Sequence, residues 1–167
     1  MGVMAPRLVV QCGLPGVGKS TVAGEIADRL DGERIRSDAV RRDVVEDPTY
    51  SRAERDRVYG AMLERAREAL ADGDSVVLDA TFERRAHRDR AAALADEVGA
   101  DLTLVRVVCD DEVARRRIRE REDDPSEADV SVYENARDRF EPFERDHVTV
   151  DNSGDLATTR RQVEVLF

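Results

Sequence analysis

The chain has 167 residues but no tryptophan, only three isoleucines and a single lysine, Lys19. Aromatic residues make up 4%, so a core has to be filled by Val, Leu and Ala; Val outnumbers Ile 22 to 3. Two cysteines, Cys12 and Cys109, are too few for a disulfide framework. Each ends an apolar run, so both are expected as buried thiols in a reducing, cytoplasmic setting. No apolar run approaches the ~20 residues of a membrane span. The opening MGVMAPRLVV leads into a strand-like segment without the layout of a signal peptide. Repeats, low-complexity tracts and long linkers are missing too, so one domain over residues 1–167 is expected.

Thirty-seven acidic residues face 27 basic ones, for a formal charge of −10. That balance disfavours sequence-blind binding to nucleic acid or to an anionic membrane, which needs a basic footprint. Of the 27 basic residues, 26 are arginine. A GC-rich genome accounts for the Arg, Val and Ala. The excess carboxylate with almost no lysine resembles the proteome of a salt-in halophile, in which acidic surfaces keep proteins soluble.

Apolar runs of strand length alternate with longer periodic segments. Residues 8–12 (LVVQC), 76–79 (VVLD) and 102–109 (LTLVRVVC) read as buried strands, with weaker candidates at 34–37 and 147–151. Ser51 and Glu54 form a capping box, after which Val58, Met62, Leu63, Ala66, Ala69 and Leu70 recur at helical spacing. Ser131 and Glu134 repeat the box. Gly32, Gly73 and Gly99 each stand between a helical stretch and a strand, where a left-handed residue is wanted. Strands alternating with helices predict an α/β fold with a mostly parallel sheet.

The strongest chemical signal is Gly13-Leu14-Pro15-Gly16-Val17-Gly18-Lys19-Ser20, followed by Thr21. It fits G-x-x-x-x-G-K-S, the P-loop pattern, between a strand at 8–12 and a helix at 18–31. Glycines let the backbone wrap a phosphate with its N–H groups pointing inward, and the helix N-terminus adds partial positive charge. Lys19 would reach the β- and γ-phosphates, and the Ser20 hydroxyl would bind Mg²⁺. The sole lysine of an arginine-rich chain falls at the one place where a compact ammonium on a flexible stem is needed.

Three further features gain meaning behind that loop. Asp38 follows the second strand, and Arg41 stands one helical turn on, so both would face the same way. A carboxylate there can accept a hydroxyl proton while a guanidinium holds an anionic acceptor; the bland alternative is an N-cap beside a surface arginine. Asp79, with Thr81 after it, ends the third strand, where a carboxylate assists Mg²⁺ binding or caps the next helix, or does both. Finally, the Arg-dense run 115–121 precedes a polar, Pro-containing stretch. It suits either a solvated helix face or a lid over about residues 112–130 that closes arginines over polyphosphate. Arg117 and Arg121 share one face of that helix. His87 is expected to be exposed and His147 to open the last strand. No His/Cys/carboxylate cluster has metal-ligand spacing, and Tyr50, Tyr59 and Tyr133 are too scattered to form a base-stacking platform.

Taken in order, GLPGVGKST, RSDAVRRD, VVLDATFERRAHR and DDEVARRRIRERED resemble the small P-loop kinases, in particular the group with an AAA-type ATP-binding domain. The likeness spans about residues 7–151. It is similar to the kinase part of polynucleotide 5′-hydroxyl kinases and of archaeal seryl-tRNA(Sec) kinase, and more distantly to gluconate and chloramphenicol kinases. Where polynucleotide kinases carry D-T-N, this chain has Asp79-Ala80-Thr81-Phe82. The read sequence ends at Phe167, so no tRNA-binding domain like that of the seryl-tRNA kinase is expected.

The resemblance implies a three-layer fold of nucleoside-kinase type with a five-stranded parallel sheet in order 2-3-1-4-5. It also implies ATP and Mg²⁺ as cofactors, Asp38 as general base, Arg41 on the acceptor, and Arg117 or Arg121 on the β/γ-phosphates. The acceptor stays open: a small hydroxyl compound, or a nucleic-acid end as substrate only. A module that binds or hydrolyses ATP without a small acceptor is the rival reading. The charge generates a test independent of the loop. Carboxylates this crowded repel one another until ions screen them. The melting temperature should therefore rise steeply from low salt to molar KCl. It should keep rising beyond 1 M, where the Debye length is already about 3 Å and simple screening is complete. A melting curve indifferent to KCl between about 0.1 and 2 M, a range over which the Debye length shrinks several-fold, would remove the halophile reading.

Overall fold

The computed structural model describes residues 4–120 and 127–167. Five strands form one parallel sheet: β1 (Arg7–Cys12), β2 (Glu33–Arg36), β3 (Val76–Asp79), β4 (Asp101–Val108) and β5 (Val148–Asp151), in spatial order β2-β3-β1-β4-β5. The helices are α1 (Lys19–Leu30), α2 (Ser37–Val44), α3 (Arg52–Ala71), α4 (Arg85–Val98), α5 (Asp111–Arg119), α6 (Glu127–Arg139) and α7 (Leu156–Leu166). The order 2-3-1-4-5 is the one the family resemblance implies. No described helix is long and apolar enough to cross a membrane.

Burial on both faces explains why the central strands read as unbroken apolar runs. Along β1, Leu8, Val10 and Cys12 point into a cluster filled by α3 and α4, with Val58, Met62, Leu70 and Leu94. Val9 points the other way, to Val22 and Ile26 of α1 and Val163 of α7. The same alternation carries Gln11 and Asp79 toward the α1 side, because each lies two residues beyond a strand residue of that cluster, Val9 and Val77. The register sets Gln11 beside Asp79 and Asp79 beside Arg36, so the ends of β1, β3 and β2 form one row.

Several local expectations are refined. Ser51 caps α3 by accepting the Glu54 N–H, but the Glu54 carboxylate turns away from the cap and accepts from the N–H groups of Thr49 (2.8 Å) and Tyr50 (2.9 Å). Ser131 and Glu134 lie inside α6, which starts at Glu127, so that box is not a cap. Gly73 (φ 90°) and Gly99 (φ 70°) take the left-handed conformation after α3 and α4. After α1 the left-handed residue is Asp31 (φ 50°) instead of Gly32. Gly32 is needed for closeness: a Cβ there would meet the Ser75 carbonyl oxygen at 2.8 Å. Both cysteines are free; Cys12 is buried and Cys109 half-buried.

His87, expected at the surface, is buried in α4, and so is its neighbour Arg88. The Arg88 guanidinium donates to the carbonyls of Glu141 (2.8 Å) and Pro142 (3.3 Å) and lies 4.4 Å from the Phe143 ring centre. Burial lowers its affinity for the proton, while the carbonyls and the ring face favour the cation. Arg88 thus ties the segment after α6 to α4. Packing and capping can be tested together at fixed KCl. Ile26→Ala, fully buried on α1, should cost about 2–5 kcal/mol, and Ser51→Ala about 1 kcal/mol. Denaturant midpoints should report both with an unchanged slope.

Candidate active site

The loop after β1 is held from three sides. The Gly13 N–H donates to the Thr81 carbonyl (3.1 Å), which fixes the loop start to the segment after β3. Gly16 and Gly18 both have φ 82°, a conformation that other residues adopt only with strain. A Cβ on Gly16 would meet Ile118 Cγ1 of α5 at 2.7 Å, and one on Gly18 would collide with the Asn152 amide. Asn152, buried in the turn after β5, donates from Nδ2 to the Val17 carbonyl (2.8 Å) and accepts from Thr159 Oγ1 of α7 (2.7 Å). Lys19 folds back over the loop, its Nζ donating to the Leu14 carbonyl (3.0 Å). Thr21 follows on the first turn of α1.

Below the loop, Gln11 Nε2 donates to the Lys19 carbonyl (2.5 Å) and to Asp79 Oδ1 (3.1 Å). Asp79 is 5% exposed and lies 3.6 Å from Arg34 Nε, with the Ser20 hydroxyl close enough to favour its charged form. Burial pushes its carboxyl above the usual aspartate range, opposed by the charges of Lys19, Arg34 and Arg36 and by the Ser20 hydroxyl. A magnesium ion keeps several waters and takes one or two protein oxygens beside substrate phosphates. The adjoining Ser20 hydroxyl and Asp79 carboxylate fit that requirement. Among the described residues no trio of His, Cys, Asp or Glu is placed to hold a metal ion.

Asp38 and Arg41 stand one turn apart on α2 but engage different partners. Asp38 is 59% exposed; its Oδ2 accepts from Arg36 (3.0 Å) and its Oδ1 from the Ala39 N–H (2.9 Å). Arg41 donates from Nε to Glu54 Oε2 (3.2 Å) and covers the Tyr50 ring. The Thr49 N–H and Arg41 hold the Glu54 carboxyl below its ordinary value. Arg41 also lines a cleft of about 160 Å³ that runs from Pro15 of the loop past Ser37 and Thr81 to α6. Among the described residues lining it, Ser37 and Arg41 represent α2, and Asp38 does not.

Another cleft, about 380 Å³, opens at the loop between Gly16, Gly18, Thr21, Arg117, Asn152 and Leu156. Arg117 therefore stands beside the start of α1, its Nη1 3.5 Å from Cys109 Sγ. Arg121 lies outside the described residues.

Sequence reasoning missed Gln11, Asn152, Glu54, Glu83 and the burial of His87. Asn152 follows a strand in a D-N-S-G run that signals only a turn, and Glu54 looks like the second half of a capping box. Polar residues on the inner face of α4 hid His87.

Comparisons with known proteins bear on the family and the fold. The family model described as AAA domain (AAA_33) matches residues 8–143. An uncharacterised protein of Mycobacterium tuberculosis (strain ATCC 25618 / H37Rv) is 32% identical over 138 residues, 75% of this chain; the chain spans 28% of that relative's length. A gluconokinase from Sinorhizobium meliloti 1021 superposes with a TM-score of 0.75 at 25% identity, covering 95% of this chain and 90% of that one. The Mycobacterium tuberculosis APS kinase CysC, solved with AMPPNP and APS, superposes with a TM-score of 0.74 at 18% identity and 97% coverage of each chain. The chain thus belongs to the AAA-domain family AAA_33 and has the fold of the small P-loop kinases.

Proposed function

We propose that this protein transfers the γ-phosphate of ATP to a hydroxyl group of a small acceptor, in a single domain whose lid is built from the α5–α6 region. The observation that carries the reading is the meeting of Lys19, Ser20 and Asp79 under a glycine loop that opens onto an arginine-lined cleft. The loop amides and Lys19 would hold the β- and γ-phosphates. Ser20 and Asp79 would hold Mg²⁺, which supplies neutralising charge on the phosphates. Gln11 keeps Asp79 and the first turn of α1 in fixed relation through its two donated bonds.

Nucleoside binding is assigned to the flank where Arg117 and Asn152 stand, with Arg117 covering the ligand. The acceptor lies on the other flank, with Arg41 on its wall. Asp38 would take the acceptor proton once released from Arg36, a turn of an exposed side chain at the cleft rim. The acidic surface and free thiols support a cytoplasmic, high-salt setting.

Transfer of label from γ-labelled ATP to a panel of sugars, sugar acids, nucleosides and 5′-hydroxyl oligonucleotides, in molar KCl and in low salt, tests the reading directly. Water as the only acceptor would establish an ATPase module in its place, and label on oligonucleotides alone would establish an end kinase. Lys19→Ala should lower transfer by ~10²–10³-fold, because a donor aimed at developing phosphate charge is lost and no second lysine exists. Retention within a few-fold would remove the loop from the donor site. Asp38→Asn keeps the shape and removes the base, so transfer should fall by ~10²–10⁴-fold while calorimetry shows unchanged ATP affinity. Equal loss of ATP affinity would make Asp38 structural.

A further inference from the structure

The acceptor-side cleft carries more positive charge than its own carboxylates balance. Its walls hold Arg41, Arg55, Arg84 and Arg139 against one carboxylate, Glu83, in a protein of net charge −10. Arg41 is already matched by Glu54. That leaves three arginines around Glu83. Arg55 of α3 and Arg139 of α6 both donate to the same oxygen, Glu83 Oε1, at 3.3 Å each. Arg84 has no ion-pair partner within 4.0 Å among the described residues. Asp56 feels its charge, but the Asp56 Oδ1 atom is engaged by His87 Nε2 at 2.8 Å.

The surroundings make this surplus more than a solvated surface. Glu83 is 8% exposed and Arg55 is half-buried, so the pair sits where charge is poorly screened. His87 is buried on the same wall, stacked on Tyr59 at 4.1 Å between ring centres, with its Nδ1 lacking a hydrogen-bond partner among the described residues. Two residues strained into left-handed backbone, Tyr50 (φ 55°) and Phe82 (φ 46°), flank the cleft. Each is held by α3, Tyr50 through Glu54 and Phe82 through an N–H bond to the Tyr59 hydroxyl at 3.0 Å. Strain that the surrounding structure maintains beside a cleft marks a built site.

We infer that the acceptor is a small hydroxylated molecule bearing an oxyanion, a carboxylate or a phosphate, which seats on Arg84, Arg55 and Arg139 with Glu83 as its internal competitor. The inference rests on the phosphotransfer reading and names its substrate class. A planar guanidinium binds either oxyanion through paired N–H donors. The two arginines on one Glu83 oxygen supply an exchange: the ligand oxyanion takes N–H donors that Glu83 accepts from when the cleft is empty. Because Arg55 and Arg139 come from α3 and α6, the incoming anion would join the two sides of the cleft. Its volume of about 160 Å³ is below that of sites for drug-sized ligands, which fits a molecule of sugar size. Neutral polyols would leave the arginine surplus uncompensated.

Matched acceptors test the assignment: a sugar acid, the corresponding sugar phosphate and the neutral sugar, each offered with γ-labelled ATP at constant KCl. The acid or the phosphate should be labelled with kcat/KM at least about tenfold above the neutral sugar, and the comparison between the two identifies the oxyanion. In parallel, calorimetry with inorganic sulfate is run on protein saturated with a non-hydrolysable ATP analogue, so that the P-loop is filled. Arg84→Gln, which breaks no ion pair in the fold, should weaken sulfate by about ten- to a hundredfold and raise the acidic acceptor's KM while KM for ATP stays. Glu83→Gln should tighten sulfate, an effect that a purely structural Glu83 would not produce. Labelling of the neutral sugar as efficiently as its acid, or sulfate binding unchanged in Arg84→Gln, would overturn the inference. Absence of labelling on every compound, with sulfate binding and its loss in Arg84→Gln intact, would sink the phosphotransfer reading and leave the oxyanion seat standing.

Discussion

A loop that turns its backbone N–H groups toward a phosphate cannot also use them to hold itself together, and the rest of this molecule is arranged around that constraint. The supports come from distant segments. Thr81 takes the first N–H of the loop, Asn152 takes its last free carbonyl before Gly18, and Gln11 binds the Lys19 carbonyl at the start of α1. Thr159 fixes Asn152, so α7, the last helix of the chain, is part of the machinery that shapes a loop near its beginning. The glycines complete the arrangement: Ile118 and the Asn152 amide press so closely on Gly16 and Gly18 that no side chain fits.

Charge is distributed on a different principle from the global balance. The surface is acidic, yet the ligand end of the sheet gathers cations: Lys19, Arg34 and Arg36 act on Asp79, and Arg55, Arg84 and Arg139 surround Glu83. Other arginines serve as structural cross-links. Arg88 joins α4 to the segment after α6 through carbonyls and ring faces, and Arg115 joins Asp111 to Glu134 across α5 and α6. A guanidinium suits that work because its fork meets several acceptors at once and its stem packs on apolar surface. Lysine survives only where one flexible point charge is required.

Two of the clefts that border the loop draw on different segments of the chain. The sheet register brings Arg36, Asp79 and Gln11 into one row, and the crossover from β2 to α2 delivers Ser37 and Arg41 to one flank while the turn after β5 delivers Asn152 and Gly154 to the other. Phosphates in the middle would be reached from both flanks, which is the geometry that group transfer between two bound molecules demands.

The strands, the helices and the loop's chemistry were legible in the chain itself, because they rest on local physics: apolar runs buried on both faces, a stripe at helical spacing after Ser51, and glycines followed by Lys19-Ser20. Asp79 at the end of an apolar strand was legible for the same reason. The partners were not. Nothing near Asn152 announces that its amide meets Val17, 135 residues away, and nothing near Glu83 announces Arg139. Glu54 satisfied a local capping pattern and was taken instead by Thr49, Tyr50 and Arg41. Asp38 and Arg41, one turn apart, parted because Arg36 and Glu54 pull them to different sides. Residue type and spacing determine which groups a segment offers; only the folded packing, which brings far segments within hydrogen-bond range and removes water between them, decides which offer is taken up.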